Sequence, residues 1–212
     1  MAATMTDPVD SSCDFSKSPV FSSATINNME SQESEGVPLQ TPWTFWLDKS
    51  VHGSSADEFQ ANLKKIYTVR TAQGFWAVYN NIPGANEIQV KASYHLMRED
   101  RKPLWEEPYN RRGGTWRIKC QKRDTTKVWR EILVAAIGEQ FSDAIADGDE
   151  ICGVTVSIRD REDIVQIWNV NADLNDRATV VSRVHRLLPG VDFPAMFYKR
   201  HDTHQAFEKR RH

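Results

Sequence analysis

The chain has 212 residues, 40% of them hydrophobic and 26% charged, with a formal net charge of −2, which suits one domain with a tail. Its longest uninterrupted apolar run is residues 132–137, far short of the ~20 residues a membrane helix needs, and no secretory leader pattern opens the sequence. Cys13, Cys120 and Cys152 stand at unrelated spacings, which argues against a disulfide framework or a zinc site and predicts a cytoplasmic protein.

The average hides a split. Residues 1–36 carry six acids, one base and eight serines, and hold only two of the 21 aromatic residues. Such a segment cannot bury enough apolar area to offset its ordering, so a disordered acidic tail is predicted over 1–36. The other 176 residues hold 23 acids and 26 bases and are long enough for one core.

Beyond the tail, Trp43, Phe45 and Leu47 alternate with polar neighbours as in a strand. Thr71 is placed to cap a short helix in which Phe75, Val78 and Tyr79 share a face. Alternation resumes over 88–96, with Ile88, Val90, Ala92, Tyr94 and Leu96 on one side. Trp116, Ile118 and Cys120 repeat it after Gly113-Gly114, read as a hairpin turn. Asp124 or Thr125 caps a predicted helix over 126–140. Two apolar runs, 151–158 and 164–170, flank a charged loop and read as an antiparallel hairpin. Asn175 caps a predicted helix over 176–188, stopped by Pro189-Gly190. A strand over 191–198 follows, assigned to a sheet edge because of Pro194. The pattern predicts an α+β fold with helices on one face of a mostly antiparallel sheet.

Seven tryptophans are the candidate functional signal. Trp43, Trp116 and Trp129 fit apolar sides of their elements and are assigned to the core. Trp46 sits on a polar phase, Trp105 lies in an irregular Pro-flanked stretch, and Trp168 shares its side with Gln166. An exposed Trp beside an acid suits a purine: the ring stacks on the base while a carboxylate accepts hydrogen bonds from a guanine edge. A cationic methylated base would add cation–π attraction, and Arg159 and Arg161 suit phosphates. His201 and His204 are read as a solvated pair in a polar tail, so no metal is expected. No phosphate-cradling Gly loop, nucleophile elbow or paired-His helix is present, so no catalytic residue and no cofactor are expected.

At these residues the chain resembles the eukaryotic messenger-RNA cap-binding initiation factor 4E family. The run Pro38-Leu39-Gln40-Thr41-Pro42-Trp43-Thr44-Phe45-Trp46 opens the likeness. Gln60-Ala61-Asn62-Leu63, Phe75-Trp76-Ala77-Val78-Tyr79-Asn80, Pro103-Leu104-Trp105-Glu106, Arg112-Gly113-Gly114, Ile137-Gly138-Glu139 and Ile167-Trp168 follow in the family's order. It covers residues 37–200, leaving a basic C-terminal tail over 201–212, and is most like the divergent third class.

The resemblance implies a curved antiparallel eight-stranded sheet backed by three helices on the convex face, with the cap cleft on the concave face. Residue by residue, it implies a cap-binding set of Phe59, Gln60, Trp105, Glu106, Arg159, Arg161 and Trp168. Trp105 is one stacking ring, Glu106 reads the base edge, Trp168 meets the methyl group and Arg159 holds phosphate. Phe59 replaces the second stacking Trp and Ile164 replaces a phosphate-binding Lys, so weakened binding of capped mRNA (7-methylguanosine) is expected. On the convex face, Pro38, Trp76, Glu131 and Val134 imply a clasp for a helix of the scaffold initiation factor 4G. Arg130 stands at a usually apolar position, which implies that 4E-binding repressors bind poorly. The implied role is promoting or regulating translation initiation; the alternative is a weak cap binder that competes and represses cap-dependent translation.

Overall fold

The computed structural model describes residues 21–49 and 62–202. Seven strands form one sheet: β1 (Pro38–Lys49), β2 (Lys64–Thr71), β3 (Ala92–Arg98), β4 (Gly114–Gln121), β5 (Ile151–Ser157), β6 (Glu162–Asn169) and β7 (Ala195–Arg200). Their order is β2-β1-β3-β5-β6-β4-β7, and every pairing is antiparallel. Four α-helices accompany them among the described residues: α1 (Ser23–Glu35), α2 (Ala72–Tyr79), α3 (Thr125–Ile137) and α4 (Val180–Leu187). The α+β class and the curved antiparallel sheet are as expected; the described residues supply seven strands and four α-helices.

The period of two sorts the sheet's faces. Trp43, Phe45, Leu47, Tyr94, Leu96, Trp116, Ile118, Val154, Val156, Val165 and Ile167 join Phe75, Val128 and Ile132 of the helices in one buried core. The intervening residues face the other way and are largely polar. Thr71 caps α2 as predicted, its hydroxyl accepting the Gly74 N–H at 3.0 Å.

Residues 23–35 overturn part of the disordered-tail expectation. They form α1, whose Met29 is fully buried against the core. The Glu33 carboxylate accepts the Arg70 main-chain N–H of edge strand β2 at 3.0 and 3.1 Å. Composition alone missed this because one Met and one well-placed carboxylate tie the helix down. A carboxylate on the free N–H of an edge strand also blunts a pairing hazard.

Gly113-Gly114 is not a hairpin turn, since β4 pairs with β6 and β7 and not with β3. These glycines serve close approach: a Cβ on Gly113 would lie 1.9 Å from the Asn169 carbonyl oxygen. The predicted strand over 88–96 starts only at Ala92, because Lys91 adopts φ 74° and leaves Val90 exposed. The helix expected over 176–188 divides into a 3-10 turn, Ala172–Arg177, and α4. A buried ion pair locks the layers. Arg98, 5% exposed, lies 4.5 Å over the Trp43 ring and donates to both Glu139 oxygens at 2.8 and 2.9 Å.

Candidate functional site

The face turned away from the helices carries a second small apolar cluster of Trp46, Met97, Cys152 and Trp168, with Leu63, Trp105 and Val170 packed on it. Trp46 and Trp168 are 7% and 6% exposed, so of the three tryptophans expected at the cleft only Trp105 is half-buried. Burial pushes the Cys152 thiol up to about 12, which keeps it protonated and inert.

Beneath Trp168 runs a buried polar chain. Its indole Nε1–H donates to Thr155 Oγ1 at 3.0 Å, and Thr155 Oγ1 lies 2.8 Å from His95 Nδ1. His95 Nε2 lies 2.6 Å from Asp48 Oδ2. With Nε2–H donated to Asp48, the Thr155 hydroxyl donates to Nδ1 and accepts from the indole, so one proton placement joins all four groups. Strand register produces this chain, since Trp46 pairs with His95, His95 with Thr155 and Gly153 with Trp168. The effect is to fix the plane of the Trp168 ring.

Trp105 and Glu106 sit on the connection between β3 and β4. Asn110, fully buried, pins that connection by donating from Nδ2 to the Lys102 and Leu104 carbonyls at 2.9 and 2.7 Å. The Asn110 carbonyl in turn accepts His201 Nδ1–H at 2.7 Å, and the His201 ring packs on Trp168 with centroids 4.9 Å apart. His201 is therefore not a solvated tail residue but a 3% exposed bracket between the Trp105 connection and Trp168. Burial lowers its pKa from the usual imidazole value.

Arg159 and Arg161 lie in the turn between β5 and β6, half-buried and exposed respectively. Asp163 shapes this turn. One oxygen accepts the Arg159 main-chain N–H at 2.9 Å and Lys122 Nζ at 2.6 Å, and the other accepts the Thr125 hydroxyl at 2.7 Å. Ile164 is half-buried opposite Lys119, which is paired with Glu162 at 3.3 Å. Phe59 and Gln60 lie outside the described residues.

On the opposite face Trp76 is 39% exposed on α2, set edge-on to Phe75 and Tyr79. Val37 is 62% exposed and Pro38 exposed beside it. Both are held at the start of α2, because the Val37 carbonyl accepts the Ala72 N–H and the Val37 N–H donates to Gln73 Oε1. Glu131 and Val134 are half-buried on α3, and Arg130 pairs with Glu131 at 3.1 Å.

The family model described as "Eukaryotic initiation factor 4E" matches residues 38–212. The chain belongs to the eukaryotic initiation factor 4E family. Initiation factor 4E-1 of barley (Hordeum vulgare) is 39% identical over 135 residues, 64% of this chain and 61% of that protein. The match thus spans about three fifths of such a relative's length. Among solved structures, a complex of C. elegans eIF4E-3 with the 4E-binding protein Mextli and cap analog superposes with TM-score 0.69. It is 31% identical, covering 80% of this chain and 95% of that one. A complex of Ascaris suum eIF4E-3 with m2,2,7G cap gives TM-score 0.67 at 31% identity, covering 79% and 93%.

Within this initiation factor 4E fold, the fold brings Trp105, Glu106 and Trp168 toward one face and Pro38 and Trp76 to the other. Asp48, His95, Thr155, Asn110 and His201 are supporting residues that sequence reasoning passed over. A weak signal existed for the first three. Asp48, His95 and Thr155 interrupt otherwise apolar strands at the phase shared with Trp46 and Trp168, where unpaired polar groups would be costly. Asn110 and His201 carry no comparable signal, since their partner is a main-chain carbonyl 91 positions away from the histidine.

Proposed function

We propose that this chain is a non-enzymatic cytoplasmic binding module. It holds the 7-methylguanosine cap of mRNA on the concave face and a helix of a scaffold initiation factor on the convex face, so promoting or regulating translation initiation. The observation that carries the reading is the bracket in which Asn110 and His201 tie the Trp105-Glu106 connection to Trp168. A stacking ring followed by a carboxylate, held beside a second indole of fixed plane, suits a flat cationic base with two edge donors. The family's cap-complexed relatives, C. elegans and Ascaris eIF4E-3, support the same assignment. By resemblance Phe59 is the second stacking ring and Gln60 belongs to the same cap set, both outside the described residues, and Arg159 and Arg161 take the phosphates.

Phe59 gives a smaller ring and Ile164 gives no charge, so cap binding is weaker than with Trp and Lys at those positions. Losing part of a ~1–3 kcal/mol stacking contribution costs about tenfold. Tryptophan-fluorescence titration with 7-methyl-GTP and GTP tests the reading: preference for the methylated nucleotide is expected, and equal affinities overturn it.

On the convex face, Pro38, Trp76, Glu131 and Val134 form the clasp, and the complex of C. elegans eIF4E-3 with the 4E-binding protein Mextli supports a protein partner for this chain. The Arg130–Glu131 pair occupies a carboxylate beside the groove, which disfavours repressor helices. Pull-downs with Trp76→Ala and Arg130→Leu decide: loss of the scaffold in the first and gain of repressors in the second are expected. No change in either removes this face from the account. The missing charge at Ile164 favours the competitor alternative, and overexpression against a capped reporter separates the two by raising or lowering its translation.

A further inference from the structure

The concave face holds two cations, Arg117 and Lys199, that neither the expected cap set nor the polar chain absorbs. Arg117 on β4 and Lys199 on β7 alternate with the core residues Trp116, Ile118 and Tyr198, so both point to the face that carries Trp168. Register places them beside the cleft: Thr115 pairs with Trp168 on one side and Lys199 on the other, and Arg117 pairs with Gln166. Both side chains are half-buried. Among the described residues neither forms an ion pair, and Arg117 Nε donates to Thr115 Oγ1 at 3.4 Å.

Arg159 completes the group without neutralising it. The acid of its turn, Asp163, is committed to the Arg159 main-chain N–H, Lys122 and Thr125, so its charge is met away from the Arg159 guanidinium. The cation nearest Ile164, Lys119, is already paired with Glu162. Burial and the charge of Arg159 lower the Arg117 pKa, and burial and the charge of Arg117 lower that of Lys199. Half-buried like charges that repel one another and lack carboxylates are costly unless an anion fills the space between them.

We propose that Arg117, Lys199 and Arg159 form a phosphate-binding subsite of the concave face, displaced from Ile164 toward β4 and β7. This subsite rests on the cap-binding reading and supplies it with the phosphate grip that Ile164 removes. Its ligand is the phosphate chain of a capped nucleotide, drawn either from the 5′–5′ bridge or from the RNA that follows.

The test compares the full chain with the Arg117→Gln, Lys199→Gln double variant, titrated with 7-methylguanosine, 7-methyl-GTP and a short capped oligoribonucleotide. Nucleoside affinity is expected to hold while the gain conferred by phosphates falls at least tenfold. The salt slope of log affinity should fall by about two, one for each phosphate contact removed. A fall already present with 7-methyl-GTP assigns the subsite to the bridge; a fall confined to the oligonucleotide assigns it to the RNA body. Unfolding temperature without ligand should hold or rise, because removing a cation relieves repulsion, whereas a structural role lowers it. An unchanged phosphate gain overturns the subsite even if 7-methylguanosine binds better than guanosine. Failure of that methyl preference overturns the cap reading instead.

Discussion

Thr155→Val removes one hydroxyl and leaves the shape of the side chain almost intact. That hydroxyl joins Trp168 Nε1 at 3.0 Å to His95 Nδ1 at 2.8 Å, and Thr155, Trp168 and His95 are 1%, 6% and 4% exposed. Water therefore has little access to replace it. Each buried polar group left without a partner costs ~1–3 kcal/mol, so two stranded nitrogens give about 2–6 kcal/mol. For a chain of this size ~3 kcal/mol lowers the unfolding temperature by about 6–12 °C. Calorimetry reads that fall, and the Trp168 indole N–H resonance reads the loss of its acceptor directly. Under the proposed cap reading, cap-analogue affinity should fall with it, because Trp168, proposed to meet the methyl group, loses its fixed plane. Thr155→Ser restores the hydroxyl and should recover both readouts. Loss of under ~0.5 kcal/mol with an unmoved indole resonance would refute the chain as a positioning device.

Glu139→Ala removes the bidentate partner of buried Arg98 but leaves its 3.0 Å pair with Glu150, so urea denaturation should register a loss of ~1–3 kcal/mol; Glu139→Gln should lose less. Met29→Ala empties a fully buried site in α1 and should cost ~2–5 kcal/mol, whereas a disordered segment would cost nothing. His201 has a pKa lowered by burial, so between its folded value and the ordinary imidazole value the unfolded chain binds more protons and stability rises with pH. Stability should therefore fall as pH drops below about 6.5 and through the folded value. Thermal unfolding of His201→Gln between pH 7.5 and pH 5.5 should show a flatter profile; identical slopes would remove His201 as the titrating group.

Much of the sheet was readable because period-two alternation reports which side of a strand is buried; Trp43 and Trp116 fell where that pattern put them, and Trp129 fell on the buried side of α3. Strand β2 was not identified. Its Lys64-Lys65 start and half-exposed edge position dilute the alternation, and its pairing with β1 depends on long-range register. The α3 cap shows a similar competition: Asp124 makes no capping bond, and the Thr125 hydroxyl donates to Asp163 on another strand. Segment likeness singled out Trp105, Glu106 and Trp168 as candidates, but the residues that hold Trp105 and Trp168 in place are bound by contacts between distant parts of the chain. His201 looked like a polar tail because a sequence window cannot show that it reaches Asn110.

The two faces of the sheet explain why recognition residues and stability residues separate so cleanly. The helical face needs only apolar volume, and Phe45, Leu96, Val154 and Ile132 supply it. Among the described residues no helix covers the cleft face, and many of its buried polar side chains pair with one another across strands. Ser93 and Ser157 share a hydrogen bond at 3.0 Å, as do Thr44 and Thr68 at 2.9 Å, beside the chain from Asp48 to Trp168. Hydrogen bonds fix direction where apolar contacts do not, so this face can hold an indole in one plane with little packing above it. The same logic leaves Arg117 and Lys199 as the exceptions on that face. They are half-buried cations that form no ion pair among the described residues and whose pKa values are lowered by burial and by a neighbouring cation, and such uncompensated charge is well matched by a phosphate.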